Sequence, residues 1–165
     1  MHAIANKGRS ATLGVHPVSE LLECPPETSL LLTGAAQCVH FDAGDLVFHQ
    51  NDGCLGLYLV ISGEFLRRSD RFSTRITLGT ARVGELVELA AALGERRHTY
   101  TLSALTPGVL LLLPIDALER AFASHPPLRM HLLEELAREV SRAYRTSCSS
   151  RTSPARRRPN GAVCC

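Results

Sequence analysis

The feature that most constrains the fold of this chain is a series of short apolar segments between positions 38 and 114. Turn residues separate these segments at intervals of about eight to twelve positions, for example at 43–45 and 51–53. Ile76 and Leu78 alternate with polar residues, which predicts a half-buried strand. Strands of this length and spacing are typical of a sandwich, a jelly roll or a barrel.

Helical patterns flank this β region on both sides. Pro25-Pro26-Glu27 favours a helix start, because proline fits the first turn and an acid suits the helix dipole, and the helix is predicted to end near Ala36. After Pro114 we predict a helix over 116–124, ended by Pro126 and Pro127, and a second over 128–145. Residues 1–17 lack periodicity and are predicted to be a loose arm, followed by one or two helical turns at 18–22.

The composition is that of one globular domain. Hydrophobic residues make up 45% of the 165 residues and charged residues 21%, which is ordinary for a protein with a single core. Apolar runs such as 109–113 are far shorter than the ~20 residues of a membrane-spanning helix. The N-terminus has no apolar block of the kind found in secretory signals. We therefore expect a cytoplasmic protein without a membrane contact.

Charge is concentrated at the C-terminus. The formal net charge is +2, but residues 146–165 contain Arg151 and Arg156 to Arg158 and no acid, so residues 1–145 are slightly acidic. The body is therefore not predicted to bind nucleic acid through a basic surface. We expect the tail to be a disordered basic segment, with a phosphate-contacting arm as one alternative. A second alternative is a frameshift or truncation, because the composition changes abruptly after Arg145.

The second of the C-terminal helices carries a narrow apolar stripe. Its residues recur at helical spacing along one face, as in the seam between two paired helices. The stripe predicts a dimer seam, and the alternative is that the same face packs on the β-structure of its own chain. The seam residues are Leu133, Leu136, Val140 and Ala143.

Several segments together identify the family that this chain resembles. Positions 43–52 (A-G-D-L-V-F-H-Q-N-D) resemble the A-G-E-x-I-F-x-Q-G-D strand pair of cyclic nucleotide-binding domains, and positions 57–63 (L-Y-L-V-I-S-G) resemble their L-Y-I-V-x-S-G. Positions 112–118 and His125-Pro126 are similar to the segments that lead into the family's last two helices. The resemblance covers about 25–145 and is to bacterial Crp/Fnr transcription regulators in particular.

The resemblance implies a fold and a division of the chain. The fold is mainly β with flanking α-helices: a double-stranded β-helix, or jelly roll, followed by a short helix and a long helix of the dimerisation type. The implied segments are an N-terminal arm at 1–24, a cyclic nucleotide-binding-like β-roll at 25–127, a C helix at 128–145 and a disordered basic tail at 146–165.

The family's phosphate-binding cassette reads F-G-E-x-A-L-L-x-x-x-P-R-S-A-T, and it has diverged here. Its Glu binds the ribose hydroxyl and its Arg pairs with the cyclic phosphate. Comparison without gaps places Glu88 at the cassette Gly, Leu89 at the Glu, His98 at the Arg and Thr99 at the Ser. An alternative frame uses Gly84-Glu85 as the cassette Gly-Glu and needs about four additional residues before Thr101; the gapless frame is favoured.

In the gapless frame both polar contacts to a cyclic nucleotide are lost. Leu89 accepts no hydrogen bond, and the imidazole of His98 cannot form the bidentate fork of an arginine. Each loss weakens binding by about 1–3 kcal/mol, unless Arg96 or Arg97 replaces the arginine from a shifted loop. The sequence therefore predicts no cofactor and no cyclic AMP binding of the usual kind. The implied effector pocket consists of Glu88, Leu89, Ala90, Arg97, His98, Thr99 and Tyr100.

The predicted function is an effector-sensing and dimerising domain of the Crp/Fnr type, with an unknown small-molecule effector. The family's helix-turn-helix has no counterpart in the sequence after Arg145, so this chain alone is not expected to bind a specific DNA sequence. Its partner is predicted to be a second copy, or a full-length relative, bound through the C helix. A ligand-free interaction module is the main alternative, in which Leu89 and residues 90–92 fill the pocket.

Catalysis and metal binding have little support in the sequence. The six cysteines include no C-x-x-C pair, so reduced thiols are expected rather than a zinc or iron–sulfur site. A cupin-like metal enzyme is the weakest alternative, with His40, His49 and His98 as candidate ligands, but the chain has no H-x-H pair. The chain also lacks G-x-S-x-G, and we predict no enzyme and no metal site.

Overall fold

The computed structural model describes residues 15–71 and 74–149, and the side chains of 18–70 and 74–145. Five helices and eight strands follow one another in the order α1 (Val15–Leu22), α2 (Pro26–Ala35), β1 (Gln37–Phe41), β2 (Leu46–Phe48), β3 (Gly56–Ser62), β4 (Phe65–Arg71), β5 (Thr74–Ala81), β6 (Leu86–Val87), α3 (Leu89–Leu93), β7 (Thr101–Ala104), β8 (Gly108–Pro114), α4 (Ile115–Ser124) and α5 (Pro126–Ser149).

The strands form two four-stranded antiparallel sheets. Their orders are β1-β8-β3-β6 and β2-β7-β4-β5, so strands distant in sequence are neighbours in both sheets. In the first sheet, β8 is central and pairs with both β1 and β3. This arrangement, with the long helix after the last strand, confirms the predicted jelly roll with flanking helices.

Strands β3 and β8 are apolar on both faces because each face is covered by a different layer. Leu57 and Leu59 of β3 belong to a core cluster shared with the helices. Tyr58 and Val60, at the alternate positions, belong to a second cluster between the two sheets. Side chains of consecutive strand residues point to opposite faces, so a strand covered on both sides reads as a continuous apolar run.

The helices α1, α2, α4 and α5 contribute to the first core cluster. Val18 and Leu22 of α1 and Leu128 and Leu132 of α5 are at most 1% exposed within it. The arm and the C helix, predicted as separate segments, therefore pack into the same core as the β-roll over these positions. None of the helices in the described part of the chain is long and apolar enough to span a membrane.

Three predicted boundaries were wrong. Helix α1 begins at Val15, so 15–17 are not part of a loose arm. Helix α5 begins at Pro126 rather than Leu128, because proline is compatible with the first helical turn, where its missing N–H has no partner in the helix. The helix also continues to Ser149, into the predicted tail. The remainder of the predicted arm, 1–14, and of the tail, 150–165, lies outside the described residues.

Strand β5 is present as predicted, but it is not half-buried along its length. Ile76 and Leu78 are 42% and 52% exposed. The strand lies at the edge of its sheet, and β7 pairs with β4 only over Phe65–Arg68, so the far half of the β4–β5 hairpin extends past the sheet. No other layer of the described chain covers these two side chains.

Candidate functional site

A short helix, α3, lies at the cassette positions and directly follows Glu88. Gly84 and Glu85 lie instead in a turn before β6, where the N–H of Gly84 donates to Val60 and that of Glu85 donates to Arg82. Gly84 has φ +85° in this turn, a conformation that favours glycine. The turn at Gly84 and Glu85 is thus followed by strand β6 and then by the short helix α3. This order agrees with the gapless comparison and not with the alternative frame, which assigned Gly84-Glu85 to the cassette.

Glu88 is buried at the start of α3 with left-handed backbone angles, φ 71° and ψ 32°. This is the position where the family comparison places a glycine, the residue that adopts such angles without strain. The carboxylate accepts hydrogen bonds from the N–H of Thr99 at 3.3 Å and from its hydroxyl at 3.2 Å. The N–H of Glu88 donates to the Tyr100 hydroxyl at 3.3 Å. Glu88 is thus held between α3 and the segment that leads into β7.

His98 lies beside Glu88 and is 2% exposed. Its ring stacks on Phe48 with the centroids 3.6 Å apart and an angle of 4° between the planes. Nδ1 of His98 lies 3.3 Å from Oε2 of Glu88, but without the geometry of a hydrogen bond. Among the described buried side chains, this nitrogen and Nε of Arg67 are the polar atoms without a hydrogen-bond partner.

Cys54 completes this buried cluster from a neighbouring turn. Its N–H donates to the Arg96 carbonyl at 2.8 Å, and the N–H of His98 donates to Asp52 at 2.9 Å, so two segments distant in sequence are paired. The Cys54 thiol donates to the Gly56 carbonyl at 3.2 Å. Burial, with a contribution from the nearby Glu88 charge, raises the pKa of the thiol to about 11.

Cys54, Glu88 and His98 each offer one potential ligand atom, and these atoms lie within 4.8 Å of one another. No role was predicted for Cys54 from the sequence, because it precedes Glu88 by more than thirty positions and belongs to no cysteine pair. The cupin-like set was wrong: His40 on β1 and His49 just after β2 are exposed, and the buried groups around His98 are a thiol and a carboxylate.

The predicted pocket residues do not all face one site. Glu88, His98, Thr99 and Tyr100 are brought together. Leu89 packs instead in the core cluster shared with the helices, and Ala90 is exposed. Arg97 is exposed and donates from its guanidinium to the Asn51 carbonyl at 2.9 Å.

The neighbouring Arg96 forms an ion pair with Glu119 of α4. The two arginines that were considered as substitutes for the cassette arginine therefore have other partners.

A second polar group lies next to Tyr100, and sequence reasoning missed it. Arg67 of β4 lies 5.9 Å from the Tyr100 ring centroid and 3.3 Å from Glu85 Oε2. Its position could have been predicted, because it follows the fully buried Phe65 by two residues and so shares the inward face of β4. Glu139 of α5 interacts with Arg67, and burial raises the pKa of its carboxyl although Arg67 opposes the shift.

The outward face of α5 carries apolar side chains with a spacing that alternates between three and four. Its members are exposed, with Leu133 at 38%, Val140 at 60% and Tyr144 at 71%. Of the predicted seam, Leu133, Val140 and Ala143 are exposed, whereas Leu136 is half-buried against the core of its own chain. We call the exposed set the α5 stripe: Met130, Leu133, Ala137, Val140 and Tyr144.

The class of protein follows from a comparison with known families. Residues 38–125 match the model of the cyclic nucleotide-binding domain. The match covers more than half of the 165 residues, and the chain belongs to this family.

Solved structures give closer points of comparison. The sensor domain of the transcriptional regulator DNR from Pseudomonas aeruginosa is similar with a TM-score of 0.65 and 22% identity, over 77% of this chain and 85% of that chain. A cyclic nucleotide-binding domain from Methylobacillus flagellatus has a TM-score of 0.68 and 18% identity, over 82% and 81%.

The catabolite activator protein of Thermus thermophilus has a TM-score of 0.65 and 25% identity, over 81% of this chain and 62% of that protein. These similarities confirm the resemblance to Crp/Fnr-type regulators. None of the curated proteins compared with this chain matches it significantly.

Proposed function

We propose that this chain is a regulatory, dimer-forming domain in which the chain's own Glu88 closes the cassette to cyclic nucleotides. The observation that carries the proposal is the buried Glu88 carboxylate, which accepts the N–H and the hydroxyl of Thr99. In the family comparison, Thr99 occupies the position of the cassette Ser, so its two donors are already used. A regulatory rather than catalytic role is supported by the family itself, which is a ligand-binding domain.

Electrostatics strengthen this interpretation. A cyclic phosphate placed at Thr99 would lie close to a carboxylate, and two like charges about 4 Å apart repel by about 4 kcal/mol near a protein surface. His98, at the position of the cassette arginine, cannot bind a phosphate through two parallel hydrogen bonds. Arg96 and Arg97 have other partners. The net effect at the cassette is unfavourable to an anion.

Effector sensing is supported by the polar group around Arg67. Its Nε is buried without a hydrogen-bond partner beside Tyr100, and buried donors of this kind are usually satisfied. A small effector with an acceptor group would satisfy it. The alternative, a ligand-free interaction module, is favoured by the aromatic side chains of Phe48, Tyr58 and Tyr100, which fill the space between the sheets.

Dimer formation is supported by the α5 stripe. Apolar side chains at alternating three- and four-residue spacing form the seam of paired helices, and such residues are stabilised when a second helix covers them. We propose a homodimer, and a full-length relative with the same stripe would form the corresponding heterodimer.

Calorimetric titration with cyclic AMP and cyclic GMP tests the closed cassette. The wild-type chain is expected to give no binding heat up to about millimolar ligand. Glu88→Gly removes the carboxylate and suits the left-handed backbone, so it is expected to bring binding into the measurable range, a gain of at least about tenfold. Glu95→Gly removes the same charge from the exposed loop and serves as the matched control, with no gain. Micromolar binding by the wild-type chain would overturn the proposal.

A further inference from the structure

We propose that Cys54, Glu88 and His98 form a binding site for one Zn²⁺ ion. This inference goes beyond the regulatory function proposed above and does not depend on it. The three side chains are 6%, 3% and 2% exposed, and their potential ligand atoms lie within 4.8 Å of one another. Ligand atoms around one tetrahedral Zn²⁺ lie about 3.2–3.7 Å apart, so movements of about 1 Å would complete the coordination.

A buried nitrogen without a hydrogen-bond partner suggests that the cluster of Cys54, Glu88 and His98 binds a further ligand. Nδ1 of His98 is buried and has no hydrogen-bond partner, although it lies 3.3 Å from the Glu88 carboxylate. A buried polar atom without a partner is rare in folded proteins and requires an explanation. A metal ion between the imidazole and the carboxylate would bind both groups at once, and it would satisfy the nitrogen that the protein itself leaves unpaired.

The donor set selects the kind of metal. A thiolate, an imidazole and a carboxylate are the three ligand types found around Zn²⁺, whereas Mg²⁺ and Ca²⁺ take oxygen ligands. With Cys54 and Glu88 ionised and His98 neutral, the ligands carry two negative charges, which a divalent cation neutralises. Three protein ligands leave the fourth tetrahedral position to a water molecule or an effector.

The surroundings hold the three ligands in place. Thr99 donates two hydrogen bonds to the Glu88 carboxylate, and Phe48 stacks on the His98 ring. Such outer contacts orient metal ligands and contribute to affinity. Cys54 and His98 are linked through the backbone pairing of their two segments. In metal binding, the sulfur–hydrogen bond of the Cys54 thiol breaks, the sulfur coordinates Zn²⁺ and the proton is released to solvent.

Cobalt substitution tests the site directly. The chain is prepared with Cys148, Cys164 and Cys165 changed to Ser, so that tail thiols do not bind metal, and is then freed of metal by a chelator. Addition of Co²⁺ is expected to produce a sulfur-to-cobalt charge-transfer band and intense visible bands that saturate at one equivalent. Zn²⁺ is expected to displace Co²⁺ and, at about 100 times its Kd, to raise the thermal unfolding midpoint by about 5–10 °C.

Two substitutions assign the ligands. Cys54→Ser is expected to abolish the charge-transfer band and to weaken Zn²⁺ binding at least about 100-fold. Cys38→Ser, at a half-buried position on β1, is expected to retain the band and the affinity for Zn²⁺. His98→Gln is expected to weaken binding to a similar degree with the thiolate still present. The absence of a cobalt band in the parent chain would overturn the site without requiring Cys54→Ser or His98→Gln to fold. A band that persists in folded Cys54→Ser would overturn it as well.

The two proposals are tested separately, because the calorimetric titration uses the metal-free chain, in which the Glu88 carboxylate keeps the charge that a bound Zn²⁺ would neutralise. Zn²⁺ binding without cyclic nucleotide binding supports both. Cyclic nucleotide binding by the wild-type chain overturns the closed cassette only, and the absence of a cobalt band overturns the metal site only.

Discussion

At the scale of single residues, three side chains at the cassette positions are held by their own chain, and the fold around them is that of the family. Glu88 occupies a left-handed position and turns its carboxylate onto Thr99. Leu89 packs into the core next to the helices, and His98 stacks on Phe48. Glu88, Leu89 and His98 are therefore buried among residues of their own chain, which agrees with the proposed closed cassette.

A substitution of Glu139 tests the polar group around Arg67 at the scale of one residue. Burial raises the pKa of its carboxyl, so the folded state favours the neutral form, and stability falls as the pH rises through the folded-state pKa. Glu139→Gln is therefore expected to raise the free energy of unfolding at pH 7 relative to wild type, with a smaller difference at pH 4. Urea unfolding in the presence of a chelator, at pH 7 and at pH 4, measures the difference in the free energy of unfolding between the variant and the wild type.

The matched control for this prediction is Glu134→Gln on the exposed side of α5, where the carboxylate pairs with Arg138. This variant is expected to leave the free energy of unfolding at pH 7 unchanged or slightly lower. Equal effects of the two substitutions would contradict the role of burial at Glu139.

The sequence predicted part of the site at this scale. The gapless comparison identified Glu88, His98 and Thr99 as neighbours in the cassette, and the structure brings them together. It did not predict that Glu88 would bind Thr99, because that contact depends on the left-handed turn before α3. The proximity of Cys54 to His98 was not predictable either, since it comes from backbone pairing between distant segments.

At the scale of elements, the close pairing of β3 and β8 organises both core clusters. Gly56 begins β3 opposite Pro114, and a side chain at this position would overlap the Leu113 carbonyl oxygen. The two backbones therefore approach as closely as glycine allows. The pairing places alternate residues of both strands into the two layers of the core.

Gly56→Ala is expected to destabilise the chain by about 2–3 kcal/mol, because the added methyl group meets backbone that cannot move away without disrupting the β3–β8 ladder. Chemical denaturation measures the change. Gly34→Ala, in α2 with open space around it, is the control and is expected to stabilise by about 0.5–1 kcal/mol. A neutral Gly56→Ala would show that the strands can separate locally at no cost.

The positions of the helices and strands were more predictable from the sequence than the burial of their side chains by other layers of the fold. Turn residues and short apolar segments predicted the β region between positions 38 and 114, where the structure has its eight described strands, because local preferences and the core pattern agree there. The exposure of Ile76 and Leu78 was not predictable, since alternation alone does not reveal whether another layer covers an edge strand. The start of α5 at Pro126 was missed because consecutive prolines were treated as a stop signal rather than as a first turn.

For the whole molecule, the α5 stripe predicts the oligomeric state. Val140→Glu places a charge in the centre of the stripe, and this variant is expected to sediment as a monomer at concentrations where the wild type is expected to be a dimer. Ser141→Glu adds the same charge on another face of α5 and is expected to leave the dimer intact. Sedimentation equilibrium measures both. Dimers of equal stability in the two variants would contradict the assignment of the stripe.

The continuity of α5 has a mechanical consequence. The helix is anchored in the core at Leu128 and Leu132, Leu136 packs partly against the same core, and the helix continues unbroken to Ser149, about 20 Å beyond Leu136. A tilt of about 5° at the anchor would therefore displace the far end by about 2 Å. A small rearrangement of the core where α5 meets the roll would therefore produce a larger displacement at the far end of the helix.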